Sequence, residues 1–336
     1  MNRSFNPHST NVFEEFVELS EQIAAPSKVA TSTGGNQATE NRSPKIILSP
    51  VTGKIRELRI SKSLINQLIY KGEPYPVCSY NVYHTMLLRD IVVPTSEAQL
   101  KGLYFETKCL GSSAGGQVTV DLPRHKKTGA KLSDHERIDQ AIGRFYDVVK
   151  EYGLIVDSNY TQIYRKRLWV DPDRRNKTPV FLDGTLDFIS PITTPRYSLD
   201  VANIDLKLTR DRDTCDSFNT GLYHPTPWGC PEKMSFTEAM MYRVIFDLPF
   251  VYLVFDYKKE NAGFKDIPII TDINDPDPLK ASIAQKRMDD LYNTLRWVCD
   301  AIFRWESLHW PMEPNTLVCQ KCVIADCPKR IEKVEI

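Results

Sequence analysis

The chain has 336 residues, of which 41% are hydrophobic and 26% charged, and its 43 basic residues balance its 43 acidic ones. These are values of an ordinary folded protein and exclude wholesale disorder. No run approaches the ~18 apolar residues that a spanning helix needs, so no membrane segment is expected. The zero balance removes the global basicity of many nucleic-acid binders, but a basic groove can be local.

Residues 1–45 are rich in Ser, Asn, Thr and Gly and read as a mobile arm, with one short amphipathic helix predicted over Phe13 to Ile23. No apolar stretch follows the first basic residue, so no secretory leader is expected. The expected location is cytoplasmic, or the host cytoplasm for a viral chain. Residues 46–100 form an N-terminal helical region, with helices predicted over Ile60 to Ile69 and Val77 to Leu88 around the turn Lys71-Gly72-Glu73-Pro74.

Residues 101–260 read as the core. Leu100 to Leu110 is a third helix, ended by the glycine-rich stretch Gly111 to Gly116. Ile138, Ile142, Phe145, Val148 and Val149 repeat at helical spacing over His135 to Tyr152, and Gly153 stops that helix. Strands are predicted at Leu154 to Val156, Arg167 to Val170, Val180 to Ile189, Ser198 to Leu208 and Phe250 to Asp256, with a helix from Ser235 to Ile245 before the last. Residues 261–336 hold a long helix from Pro278 to about Trp305 and a cysteine-rich tail. The order predicts an α/β fold, a mixed central sheet flanked by helices, in two layers or three.

Two segments carry chemistry. Leu182-Asp183-Gly184-Thr185-Leu186-Asp187-Phe188-Ile189 is followed, after a turn, by Ile204-Asp205-Leu206-Lys207-Leu208. Each reads as a strand with carboxylates where apolar residues would continue, and a hairpin brings the two side by side. Carboxylates that hold Mg²⁺ or Mn²⁺ can stabilise charge on phosphate and supply a nucleophilic water. Lys207 lies two residues after Asp205, on the same face, where it can orient or deprotonate that water, and the Leu206 carbonyl can add a metal ligand. Taken alone, the triplet reads better as an Asp/Lys pair on a surface strand.

The tail places Cys319, Cys322 and Cys327 within nine residues, a spacing suited to an iron–sulfur cluster or to Zn²⁺. Eight cysteines in a reducing compartment favour metal ligation or burial over disulfides. Cys299 falls on an apolar helix face, and Cys215, His224 and Cys230 leave a second zinc site open. Arg124 to Lys127, Tyr164 to Arg167, and Arg210 with Arg212 are basic patches able to meet phosphate, while Tyr223 and Trp228 could stack on bases.

In their order, Gly184-x-x-Asp187, Asp205-x-Lys207 and Glu238-Ala-Met-Met-Tyr242 resemble the motifs of the PD-(D/E)XK nuclease superfamily, in the RecB-like branch with an iron–sulfur cluster, similar to CRISPR-adaptation and AddB-type nucleases. Glu238 departs from the Gln usual in the last motif, and the second cysteine gap is one residue shorter than the commoner form. Gly102-Leu103-Tyr104-Phe105-Glu106 is similar to the family's first motif. Over residues 75 to 330 the resemblance implies a restriction-endonuclease-like core. It implies a catalytic set of Asp187, Asp205, Lys207, Glu238 and Tyr242, and metal ligation by Glu106, Asp187, Asp205 and Leu206. It further implies that Cys78 joins Cys319, Cys322 and Cys327 around a structural [4Fe–4S] cluster, with Zn²⁺ as the alternative. The implied activity is an exonuclease on single-stranded DNA or duplex ends, with a helicase, recombination or replication partner supplying any unwinding. A nucleic-acid-binding or assembly protein on a nuclease fold, and a zinc-tailed structural protein, are the competing readings.

Overall fold

Apolar, β-branched runs in the middle of the chain become strands buried on both sides, and helices cover them. In the computed structural model, the residues described are 44–70, 73–75, 77–113, 119–122, 124, 128–171, 178–210, 236–257, 262–313, 319, 322–324, 327 and 329. The expected helix at Phe13 to Ile23 lies outside these residues.

The strands are β1 (Ile46–Leu48), β2 (Ile55–Ile60), β3 (Ile69–Tyr70), β4 (Glu73–Pro74), β5 (Thr161–Trp169), β6 (Val180–Thr193), β7 (Ser198–Thr209), β8 (Phe250–Asp256) and β9 (Phe264–Ile269). The helices are α1 (Lys62–Leu68), α2 (Ser79–Val82), which runs into a π-helical turn at Tyr83–Leu88, α3 (Glu97–Leu110), α4 (Ser133–Glu151), α5 (Phe236–Phe246) and α6 (Pro278–Ser307). Among the described residues seven strands form one mixed sheet in the order β1-β2-β6-β7-β8-β9, with β5 also paired to β6. The fold is α/β, as the alternation of elements predicts.

Every residue of β8 is buried, the mark of a central strand covered on both faces. Phe250, Tyr252 and Val254 pack with residues of α1, α5 and α6, whereas Val251, Leu253 and Phe255 pack with residues of α3 and α4. The sheet is therefore the middle of three layers. Phe105 and Phe145 meet Phe255 at ring-centroid distances of 5.3 and 6.0 Å, which fixes α3 and α4 on one face. Helix α3 starts at a capping box, with Ser96 accepting from the Gln99 amide and the Gln99 side chain accepting from Ser96 N.

The sheet differs from the expectation at its edges. Leu154 to Val156 is not a strand: after the left-handed Gly153 (φ 63°) the Leu154 amide turns back to the Val149 carbonyl, and Ile155 N donates to Ser190 Oγ. Strand β5 instead begins at Thr161. Strands β1 and β2, from the region expected to be helical, and β9, from the C-terminal region, extend the sheet on both sides. Lys45, assigned to the arm, is 2% exposed and lies in the body of the fold.

Strand β6 organises the centre. Strand β5 runs along one edge of it from Val180 to Phe188. On the other edge β2 lies parallel at Val180 to Leu182, and β7 lies antiparallel from Phe188 onward. Between Leu182 and Phe188 neither β2 nor β7 pairs with that edge, so the sheet splits there. Asp183, Gly184, Thr185, Leu186 and Asp187 fill the split.

Candidate active site

The split leaves backbone groups that need partners, and side chains supply them. Asp187 Oδ2 accepts from the Leu206 amide at 2.6 Å, and the Tyr242 hydroxyl donates to the Thr185 carbonyl at 2.6 Å. Asp187 thus bridges β6 to β7, and Tyr242 fastens α5 over the gap. The family-like glycine has a physical reason here. A Cβ on Gly184 would stand 2.9 Å from Tyr242 Cε1, and the Tyr242 ring is itself stacked on Phe250 at 5.7 Å.

Strand β7 sends Ile204 and Leu206 into the α3/α4 core, which turns Asp205 and Lys207 toward α5. There Lys207 Nζ lies 2.6 Å from Asp205 Oδ2 and 3.3 Å from Glu238 Oε1. Lys207 is thus the charged partner of Asp205 Oδ2, which has no other hydrogen-bond donor beside it. Glu238 is the best satisfied of the acids: its Oε2 receives Lys62 Nζ at 3.1 Å and the Tyr252 hydroxyl at 3.0 Å. Leu206, expected to offer its carbonyl, contributes its amide to Asp187.

Burial and charge set the protonation of the group. Asp187 and Asp205 are each 5% exposed. Burial, followed by the nearby Glu106 charge, pushes the Asp187 carboxyl up to about 8, although Lys207 and the Leu206 amide pull the other way. Burial likewise lifts Asp205 well above the carboxylate range, with Glu238 and Asp187 adding to it against Lys207. Glu238 goes down to about 2: burial opposes its charge, but Lys207 and Lys62 overcome it. Burial opposes the charge on Lys207 too, yet Asp205, Glu238 and Asp187 hold it protonated well above the ordinary lysine value. The chamber holds more acids than bases, and burial meets the excess by raising Asp187 and Asp205.

All five residues of the expected catalytic set therefore lie around one chamber, and Glu106, on α3, is close enough to raise Asp187. They are not yet a closed cage. Among the described residues no three His, Cys, Asp or Glu side chains are grouped so as to hold a metal ion. The donors nonetheless suit a hard divalent cation: two buried carboxyls that burial forces toward neutrality, with Asp205 Oδ2 held by a single ammonium that a cation could replace.

The sequence carries no motif for what lies next to this chamber. A cavity of about 280 Å³ opens beside Glu238 and Tyr242, lined among others by Lys45, Lys62 and Arg89. Lys45 forms a buried pair with Asp183 at 2.5 Å, and Tyr164 donates to the same carboxylate at 3.1 Å. Arg89 follows the π-helical turn in a left-handed conformation, φ 58°. The basic residues of β5 also make contacts within the chain. Arg165 lies over Phe246, Lys166 over Phe181, and Arg167 donates to the Val244 carbonyl at 2.7 Å. Arg124 and Arg210 are exposed. His125, Lys126, Lys127, Arg212, Cys215, Tyr223, His224, Trp228 and Cys230 lie outside the described residues.

The cysteines divide in two. Cys299 and Cys109 are buried, Cys109 beside Glu106 and Asp187 with its thiol pushed up by burial. Cys78 caps α2, and Asn81 on that helix donates to Cys322 Sγ at 3.1 Å. Ser79 Oγ donates to the Pro311 carbonyl, and Tyr83 stacks on Trp310 at 4.3 Å, so the chain leaving α6 also packs on this helix. Cys319 is buried and Cys327 half-buried, both free of disulfides.

A scan against protein-family models returns no match, and no curated protein matches the chain. The contact at Gly184 gives a direct test of the site geometry. Gly184→Ala is expected to lower the free energy of unfolding by about 1–3 kcal/mol, the cost of overpacking a filled core. An unchanged midpoint in urea denaturation would contradict the close approach of Tyr242.

Proposed function

We propose that this chain is a metal-dependent DNA nuclease of the RecB-like PD-(D/E)XK type, acting as an exonuclease on single strands or duplex ends. The observation that carries the reading is the presentation of Asp205 and Lys207 on one face of β7, against Glu238 and beside Asp187, where the sheet splits. Asp187 and Asp205, with Glu106 on the facing helix, would hold Mg²⁺ or Mn²⁺. When bound, such an ion supplies a Lewis acid for the phosphate and lowers the pKa of water. The protons that Asp187 and Asp205 retain by virtue of burial leave when a cation binds, so affinity rises with pH toward about 8, the value for Asp187.

Lys207 has a narrower role than the sequence allows. Asp205 and Glu238 beside it favour its ammonium form, in which it orients water and stabilises negative charge. Its side chain keeps 27% exposure, which leaves it a path to solvent and substrate. Lys62 and Glu238 position Lys207 from the α1 and α5 side. Lys45, Lys62 and Arg89 place positive charge next to the site, where a DNA backbone needs neutralising.

One observation favours the binding-protein alternative: Glu238 stands where a neutral Gln is usual in the resembled motif, and it ties up Lys207. Activity decides between the two. Asp205→Ala and Lys207→Ala are each expected to reduce Mg²⁺- or Mn²⁺-dependent degradation of end-labelled DNA by at least ~100-fold. Equal cutting by the variants, or an inert wild type, contradicts the nuclease reading.

The tail cysteines support a second element of the proposal, a structural [4Fe–4S] cluster on Cys78, Cys319, Cys322 and Cys327 that fastens the C-terminal tail to α2. What supports it is the contact of Trp310, Pro311 and Cys322 with the helix that Cys78 caps and the turn that continues it. Anaerobically purified protein should be brown, with broad absorption near ~400 nm that Cys322→Ser removes. A colourless protein that contains zinc would replace the cluster with a zinc site. Among the described residues no helix is long and apolar enough to cross a membrane. We place the nuclease in the cytoplasm, or a host cytoplasm for a viral chain, working with a helicase, recombination or replication partner.

A further inference from the structure

Gln162 stands opposite Asp187 and has three features that a strand residue does not normally combine. Its φ is +51°, in the left-handed region that a side chain with a Cβ disfavours. It is 7% exposed, and its Oε1 has no hydrogen-bond partner. Its Nε2 donates to Asp187 Oδ1 at 3.3 Å. With Asp187 ionised, as cation binding requires, the amide faces this way, because the reverse would set two acceptors against each other.

The distortion is centred on Asp187. The β5–β6 register passes from Thr161–Phe188 to Ile163–Leu186 without a pair between Gln162 and Asp187. At the same point β6 changes sides: Val180, Leu182 and Leu186 pack into the α5/α6 core, whereas Phe188 and Ile192 pack into the α3/α4 core. Regular pleating would keep these even-numbered residues on one face. An unfavourable backbone and an unsatisfied buried acceptor at one residue are retained where the surroundings need what they place. What they place is an amide across the carboxylate at the centre of the split.

We propose that Gln162 is a positioning residue for Asp187 and sets the cation affinity of the site, an inference that rests on the metal-dependent reading above. The Leu206 amide holds Asp187 Oδ2 and the Gln162 amide holds Oδ1, so the carboxylate is fixed from both oxygens. The free Oε1 is an acceptor for a group the chain does not supply, such as water on a bound cation.

Gln162→Gly and Gln162→Met separate this role from a structural one. Glycine accepts φ +51° without strain, so Gln162→Gly should unfold at an unchanged or higher temperature. Gln162→Met keeps the length and removes the amide. Both variants are expected to bind Mn²⁺ at least ~10-fold more weakly than wild type, measured calorimetrically on protein without DNA, which corresponds to about 1.4 kcal/mol. Variants that bind Mn²⁺ as tightly as wild type would overturn the proposal, as would losses of affinity that only follow losses of stability. If wild type itself takes up no Mn²⁺, the metal-site reading falls and this proposal with it. If wild type binds and cuts but the variants match it, the proposal alone falls.

Discussion

The unpaired edge of β6 between Leu182 and Phe188 is the constraint on which the rest of the site depends. A strand edge inside a protein leaves polar backbone groups that must find partners. Here β2 and β7 divide the edge between them, and the gap is closed by the Asp187 carboxylate on the Leu206 amide and the Tyr242 hydroxyl on the Thr185 carbonyl. The same contacts that repair the sheet bring β6, β7 and α5 around one chamber. A side effect is that acidic side chains are drawn into the interior.

Those acids set the electrostatic character of the molecule's centre. Burial of an unpaired charge is costly, and groups respond by holding protons or by pairing. Glu238 takes the pairing route, with Lys62, Lys207 and Tyr252 about it. Asp187 takes the other and is raised, and Asp205 is raised by burial despite its pair with Lys207. Next door, Asp183 is neutralised outright by Lys45. One chamber thus holds more acids than bases, whereas its neighbour pairs Asp183 with Lys45.

The central fold was legible because its signals are local. β6, β7 and β8 read as apolar runs, and Gly153 stops α4 where the periodicity ends. Asp205 and Lys207 fall on one face because a strand has period two. The edges were less legible. β2 reads Ile-Arg-Glu-Leu-Arg-Ile, six residues whose apolar positions suit a helical turn as well as a strand, and only the parallel partner β6 decides between them. Leu154 to Val156 looks like a strand but is used to leave a helix. Lys45, Lys62 and Arg89 carry no motif, since they reach the site from separate segments. Gln162 is invisible for a different reason: its meaning lies in a backbone angle, which glutamine does not advertise as glycine or asparagine would.

The central claim is that the split between β2 and β7 is a divalent-cation site. Anomalous scattering from crystals soaked in Mn²⁺ tests it most directly. The account predicts a peak between the Asp187 and Asp205 carboxylates, with the Lys207 ammonium moved off its 2.6 Å contact with Asp205. No density there, with that ion pair intact at saturating Mn²⁺, would contradict it.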